Sequence, residues 1–117
     1  MTKLKVYDLE ERSFRFSKNV AIFCQKIPKN SANFIYVKQL LRSSSSISAN
    51  YIEANEALSK KDFRMRVKIA RKEAKETAYW LRLIIETNND KISKKEADNL
   101  FGEAIELKKI LSAMIIK

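Results

Sequence analysis

The chain of 117 residues has no histidine, one glycine, one proline and one cysteine. Without histidine it lacks the commonest general base and metal ligand of enzymes. Sheets joined by tight hairpins need turn residues such as glycine at regular intervals, so a single glycine favours long helices with few connections. One cysteine cannot form a disulfide within the chain, which is typical of proteins in a reducing compartment. These absences predict an all-α protein of the cytoplasm.

Long apolar runs are also missing. No stretch reaches the roughly 18 uninterrupted apolar residues of a transmembrane helix, and the first seven residues lack the apolar region of a secretion signal, so we expect no membrane segment. Positive charge is in excess, because 24 Lys and Arg face 14 Asp and Glu, for a formal net charge of +10. This charge favours nucleic acid, an anionic membrane or an acidic protein as partner, without choosing among them.

Apolar residues recur at three- and four-residue spacing in four segments, which predicts four helices. The predicted helices span residues 8–27, 32–58, 60–88 and 94–116. Asp8 and Glu11 have the form of a capping box at the start of the first helix, and Pro28 ends it. Sustained heptads with short connections predict one domain over residues 1–117, an antiparallel up-down four-helix bundle with left-handed packing.

The ends of the second and third helices have recognisable caps. Asn30, Ser31 and Asn33 each offer an N-cap for the second helix, and Ser59 offers one for the third. The core stripe of the second helix is expected to end at Leu58, and its serine run to remain helical. Four polar residues on or beside the core stripes are expected to hydrogen-bond across the bundle: Asn50, Tyr51, Asn55 and Thr77.

Side chains able to support catalysis are few. Cys24 lies at the edge of a core stripe with no histidine to activate it, so we interpret it as a small core residue. Glu53 with Glu56, and Glu73 with Glu76, are spaced as in the carboxylate metal sites of bundles, but those sites also need Glu-x-x-His pairs. We therefore predict no enzymatic activity, no metal and no cofactor.

Five basic residues of the third helix share one face at i, i+4, i+7 spacing. They are Arg64, Lys68, Arg71, Lys75 and Arg82. Like charges at this spacing repel by about 0.2–0.5 kcal/mol per pair, which favours an oppositely charged partner and predicts contacts to nucleic-acid phosphates. The open alternative is a solvated face neutralised by acids of an adjacent helix, such as Glu53 or Glu56.

A second apolar side of the third helix predicts a subunit interface, because one apolar stripe is enough for a bundle helix. Its residues are Met65, Ile69, Trp80 and Leu83. The first helix offers a similar pair in Phe14 and Ala21. Tyr79 and Trp80 are also able to stack on bases, but aromatic residues at helical spacing more often serve in packing, so self-association is the favoured interpretation.

Six short segments of the chain are informative when taken together. They read YDLEER at residues 7–12, QLLRSS at 39–44, SANYIEA at 48–54, KDF at 61–63, KEAKET at 72–77 and YWL at 79–81. With these segments the chain resembles a known family, the bacterial four-helix bundle proteins encoded in intervening sequences of 23S ribosomal RNA. The resemblance covers nearly the whole chain, although the last helix matches only in pattern.

The resemblance implies a four-helix bundle that assembles into a ring, a homopentamer. The chain is also similar to accessory proteins of diversity-generating retroelements, basic pentameric barrels that engage nucleic acid and a reverse transcriptase. The predicted function is therefore a non-enzymatic, homo-oligomeric protein that binds RNA or other nucleic acid through its basic face. The alternative is a scaffold that docks an acidic or polymerase-type protein. Binding to a membrane surface is disfavoured, because the basic residues do not flank a free apolar face of the required kind.

Overall fold

Four α-helices pack together in the computed structural model of the chain, which describes residues 2–116 and the side chains of residues 9–116. The helices are α1 (Thr2–Cys24), α2 (Ser31–Asn55), α3 (Lys60–Asn88) and α4 (Lys94–Ile116), with a short 3-10 turn at Asn89–Lys91. No strand occurs in the described range, so the all-α class is confirmed. Consecutive helices pack on one another, and α1 also contacts α4. None of the described helices has the length and apolar character needed to span a bilayer.

The first helix differs from its prediction at both ends. α1 begins at Thr2 and runs through Asp8, so the start predicted there is wrong; the Asp8 side chain lies outside the described ones. Residues 2–7 include no glycine or proline to stop the helix from extending. α1 ends at Cys24, three residues earlier than predicted, because the chain tightens ahead of Pro28 and the Lys26 amide bonds back three residues instead of four.

The second helix is shorter at its end than the sequence suggests. Asn30 is its N-cap, since the Asn30 side-chain oxygen accepts from the Asn33 amide at 2.8 Å. The helix ends at Asn55, and Leu58, which was expected in the core, is 98% exposed. The reason is that residues 56–59 have to turn the chain into α3, which Ser59 caps with its side-chain oxygen. α3 and α4 begin and end at the residues named from the sequence.

The serine run at residues 43–46 lies inside α2, where it brings three helices close together. Ser43 and Ser44 are buried. The Thr77 hydroxyl of α3 donates to the Ser43 hydroxyl at 2.8 Å. The Ser17 hydroxyl of α1 donates to the Ser44 backbone carbonyl oxygen at 3.1 Å. Larger side chains would hold α1 and α3 away from α2, so the run is a packing layer of the bundle and not a flexible linker.

A buried pair of amides joins the start of α2 to the end of α3. Asn33 Nδ2 donates to Asn88 Oδ1 at 2.8 Å, and Asn88 Nδ2 donates to Asn33 Oδ1 at 3.0 Å. Asn33 also donates to the Pro28 carbonyl, and Asn88 to the Ile84 carbonyl, both at 2.8 Å. Both side chains are almost fully buried. Because buried amides need partners, the pair fixes the register of α2 against α3.

Other polar residues also bond between helices. Asn50 Oδ1 accepts from Arg66 of α3 at 3.5 Å, and Asn55 Nδ2 donates to Glu10 of α1 at 2.6 Å. Together with the bond from Thr77 to Ser43, these bonds confirm the predicted contacts between helices for three of the four residues. The fourth, Tyr51, forms its side-chain hydrogen bond with Asn55 of the same helix. Tyr51 is buried, and burial raises the pKa of its hydroxyl. Every buried side-chain nitrogen and oxygen in the described part has a hydrogen-bond partner.

Candidate nucleic-acid interface

Half of the net charge of the chain lies on α3. This helix contains nine Lys and Arg against four Asp and Glu, a net charge of +5 out of the total of +10. α4, which packs beside it, has four residues of each sign and is neutral. An uneven distribution of this kind gives one side of the molecule a positive potential.

The five predicted phosphate-binding residues lie on the solvent side of α3. Arg64, Lys68, Lys75 and Arg82 are exposed, and Arg71 is half-buried. None of the five makes an ion pair with another residue of the described part. At a rise of about 1.5 Å per residue, the row from the first to the last is about 27 Å long. We call these five residues the basic face.

The acids proposed to neutralise the basic face form no ion pair with it in the described part of the chain. Glu53 and Glu56 of the α2 end are exposed and form no ion pair with a residue between 9 and 116. The two carboxylates in the middle of α3, Glu73 and Glu76, both bind Arg42 of α2, the former at 3.1 Å. Arg42 therefore pairs with both acids in the middle of α3, and Glu53 and Glu56 do not neutralise the basic face through ion pairs.

The second apolar side of α3 is only partly free. Met65 is 52% exposed, whereas Ile69 and Leu83 are half-buried. Trp80 packs against the core, and its ring centroid lies 6.2 Å from that of Tyr36 in α2. Trp80 is thus bound within its own chain, and Met65 is the member of the predicted interface with the most exposed side chain.

Tyr79 lies beside the basic face and is 55% exposed. Its ring packs edge-to-face on Trp80, with centroids 4.9 Å apart and planes inclined at 73°. The Trp80 Nε1 in turn donates to Glu76 Oε2 at 2.9 Å. Lys75 precedes Tyr79 by four residues and Arg82 follows it by three, so both lie within about 60° of it around the helix.

Several exposed apolar side chains lie on α1 and α2. Phe34, Leu41 and Ile52 of α2 are 73%, 38% and 45% exposed, and their spacing of 7 and 11 residues places them along one side of the helix. Phe14 of α1 is 57% exposed, and α1 meets α2 through Ser17, so Phe14 flanks the same seam. We call Phe14, Phe34, Leu41 and Ile52 the α1–α2 apolar face. From the sequence only Phe14 was noticed; the signal for the others is a second stripe next to the core stripe of α2.

An apolar groove of about 1020 Å³ opens at one end of this face, between the end of α1 and the start of α2. Phe34, Leu41 and Cys24 are among its lining residues, together with Lys29 and Lys38, and no acidic residue lines it. Burial raises the pKa of the Cys24 thiol to about 12, so Cys24 contributes a protonated, apolar surface and not a nucleophile.

Comparison with known proteins gives a match to a family model and matches to solved structures. The model of the protein family described as 23S rRNA-intervening sequence protein matches residues 2–113. Among solved structures, the chain is similar to a protein with unknown function from the S23 ribosomal protein family of Bacteroides thetaiotaomicron VPI-5482. The TM-score is 0.83 and the sequence identity 33%, over 93% of this chain and 99% of that chain. No curated protein matches.

Proposed function

We propose that this chain, which belongs to the family of 23S rRNA-intervening sequence proteins, is a non-enzymatic, homo-oligomeric protein of the cytoplasm that binds RNA or other nucleic acid. The observation that carries the proposal is the basic face, a row of cations on α3 with no ion-pair partner in the described part of the chain. The single cysteine and the absence of histidine support a non-catalytic protein of a reducing compartment.

Lysine and arginine bind phosphates without reading the base sequence, so binding is expected to be largely sequence-independent. Each neutralised phosphate releases condensed counterions, and the logarithm of the affinity falls by about 0.7 per phosphate for each tenfold rise in salt on a single strand. If all five residues of the basic face bind phosphates, the slope is about −3.5. The slope measured over a series of salt concentrations therefore gives the number of phosphates that the protein contacts.

The test is a titration of labelled single-stranded RNA at several salt concentrations. A variant with Arg64→Glu, Lys68→Glu and Lys75→Glu is expected to lose most of the affinity and to flatten the salt dependence. All three residues are exposed, so the fold should be retained, which far-UV circular dichroism checks.

The matched control reverses three exposed lysines elsewhere, as Lys18→Glu, Lys91→Glu and Lys95→Glu, which changes the net charge by the same amount. This control is expected to keep more affinity than the α3 variant and a slope close to that of the wild type. Equal losses in the two variants would show that total charge, and not the basic face, governs binding.

For the assembly we propose a ring, a homopentamer of up-down antiparallel, left-handed bundles. A ring with cyclic symmetry of more than two subunits needs two different patches on each subunit, because its interfaces are heterologous. The α1–α2 apolar face and the side of α3 that carries Met65, Ile69, Trp80 and Leu83 are two such patches. Exposed apolar side chains on both support this arrangement.

The assembly is tested by light scattering on two variants, Phe34→Lys and Met65→Lys. Each variant damages one patch and is expected to be monomeric alone. When the two are mixed, each still has one intact patch, so one copy of each should pair into a heterodimer that cannot extend. A monomeric wild type at micromolar concentration, or a mixture that stays monomeric, would contradict the heterologous ring.

A second candidate function is a scaffold that docks an acidic or polymerase-type protein. The observation in its favour is the groove between α1 and α2, which is apolar and lined by Lys29 and Lys38 with no acidic residue. An amphipathic helix with acidic flanks fits such a groove. A pull-down from the native host that recovers RNA and no protein would count against it.

A further inference from the structure

We infer that the basic face binds nucleic acid as an unpaired single strand, with one base stacked on Tyr79. This inference rests on the proposed function, since it names the form of nucleic acid that the same surface takes. Nonspecific single-strand binders combine a positively charged surface that follows the backbone with aromatic rings on which bases stack. α3 has both components within four residues of each other.

The ring of Tyr79 is held in place and left accessible. Edge-to-face packing on Trp80 at 4.9 Å supports it from one side. Trp80 is itself fixed by its bond to Glu76 and by the ring of Tyr36 at 6.2 Å. Because more than half of Tyr79 remains exposed, a planar base can pack on its free surface without displacing any part of the core.

The charges around Tyr79 suit a sugar-phosphate backbone on either side of the stacked base. Lys75 and Arg82 are exposed and have no ion-pair partner in the described chain. Glu76, the nearest acid, is bound to Arg42 and Trp80. Glu86, four residues beyond Arg82, is exposed and unpaired among residues 9–116, so it limits the basic face at that end.

The other aromatic residues whose side chains are described are buried, half-buried or away from the basic face. Tyr51 is buried in the core, and Tyr36 is half-buried beside Trp80. Phe14 and Phe34 are exposed, but they lie on the α1–α2 apolar face. Tyr79 is therefore the aromatic residue of the described part that is placed to bind a base next to the basic face.

Stacking selects the form of the nucleic acid. Bases of a duplex are stacked on one another, and the deep, narrow major groove of an RNA helix excludes side chains, so an aromatic ring gains bases only from loops, bulges or free strands. The phosphate contacts of the basic face are available to both forms. Tyr79 adds affinity only for the single strand, which separates its contribution from that of the cations.

The experiment compares a labelled 12-nucleotide oligouridine with a 12-base-pair RNA duplex at one salt concentration, on the purified full chain. Tyr79→Leu, which keeps an apolar side chain without a stacking surface, is expected to weaken single-strand binding by about 5- to 150-fold, the range for one base on one ring. Its duplex affinity is expected to stay unchanged. Tyr79→Phe and Tyr79→Trp keep the ring and should retain single-strand affinity.

The matched control is Ile22→Ala, which shortens an exposed apolar side chain of α1 that belongs to neither proposed patch of the ring nor to the basic face; no change is expected on either RNA. If Tyr79→Leu binds the single strand as well as the wild type does, or loses single-strand and duplex affinity equally, the stacking inference is overturned while the nucleic-acid function stands. If the wild type binds neither the single strand nor the duplex, both the stacking inference and the proposed nucleic-acid function are wrong. Loss of single-strand affinity in Tyr79→Phe would also overturn the inference.

Discussion

The amide pair of Asn33 and Asn88 allows a sharp test of how the bundle is held in register. Asn33→Leu would remove the hydrogen-bond donor of Asn88 Oδ1 and the donor of the Pro28 backbone carbonyl. The side-chain nitrogen of Asn88, Nδ2, would keep its bond to the Ile84 carbonyl. An unsatisfied buried polar group costs about 1–3 kcal/mol. With two acceptors stranded, we expect the free energy of unfolding to fall by about 2–4 kcal/mol. Asn88→Leu, which strands only the side-chain oxygen of Asn33, is expected to cost about 1–3 kcal/mol.

The double variant Asn33→Leu, Asn88→Leu removes both amides together and replaces them by apolar groups of similar size. Replacing both partners of a buried hydrogen bond is close to neutral, so the double variant should lose less than the sum of the single losses, by at least about 1 kcal/mol. Urea unfolding followed by far-UV circular dichroism, at one protein concentration because assembly adds to stability, measures all four chains. Losses that add in the double variant would refute the view that the two amides act as one unit.

Three more predictions follow from single sites. Gly102→Ala should raise the free energy of unfolding by up to about 1 kcal/mol, because a Cβ there meets no atom within 4 Å; a loss, measured in urea, would mean that a partner packs closely at this point. Cys24 should react with a thiol reagent at pH 8 at least about 100-fold more slowly in the native chain than in urea, since its pKa is raised from 9.0 to about 12. A native chain that is alkylated rapidly at pH 8 would contradict the burial of Cys24. Because the fold favours the protonated thiol, the contribution of Cys24 to the free energy of unfolding is complete below pH 9 and is lost as the pH rises toward 12. Arg42→Met should cost about 1–2 kcal/mol in urea, because it leaves the buried Glu73 carboxylate unpaired; Lys38→Met, on the same helix without an ion pair, is the control and should change stability little.

The helices could be predicted from the sequence because heptad spacing is a local signal. Ser59 and Asn30 cap their helices as the local pattern indicates. The same kind of pattern was misleading at Asp8, because a capping motif starts a helix only where the preceding residues cannot continue it. Leu58 was misassigned for a related reason: the heptad phase continues through it, but the chain needs four residues to turn between α2 and α3.

The basic face is also a local pattern, and its residues can be listed from the spacing alone. Whether those charges are free depends on residues far along the chain, and the spacing does not show it. Arg42 is 31 residues from Glu73, and only the packing of α2 on α3 brings them together. The reciprocal bonds of Asn33 and Asn88 join residues 55 positions apart, so from the sequence Asn33 was interpreted only as a possible cap.

The apolar surface was the least predictable feature. On α2 the stripe of Phe34, Leu41 and Ile52 lies beside the core stripe, and from the sequence alone the two merge into one wide apolar side. Only the position of α1 decides which of these side chains are covered. The contact of Trp80 with Tyr36 depends on a neighbouring helix in the same way, because the two residues lie on α3 and α2.

The placement of half the net charge on one helix has an orientational consequence. A molecule with α3 at +5 beside a neutral α4 experiences a torque in the field of a polyanion, so it turns its α3 side forward before any contact forms. In the proposed ring every copy of α3 would be related to the next by the same rotation, so the basic faces would repeat at equal intervals around the axis. A flexible polyanion could then follow the circumference from one copy to the next, and the length of strand bound would report the number of subunits.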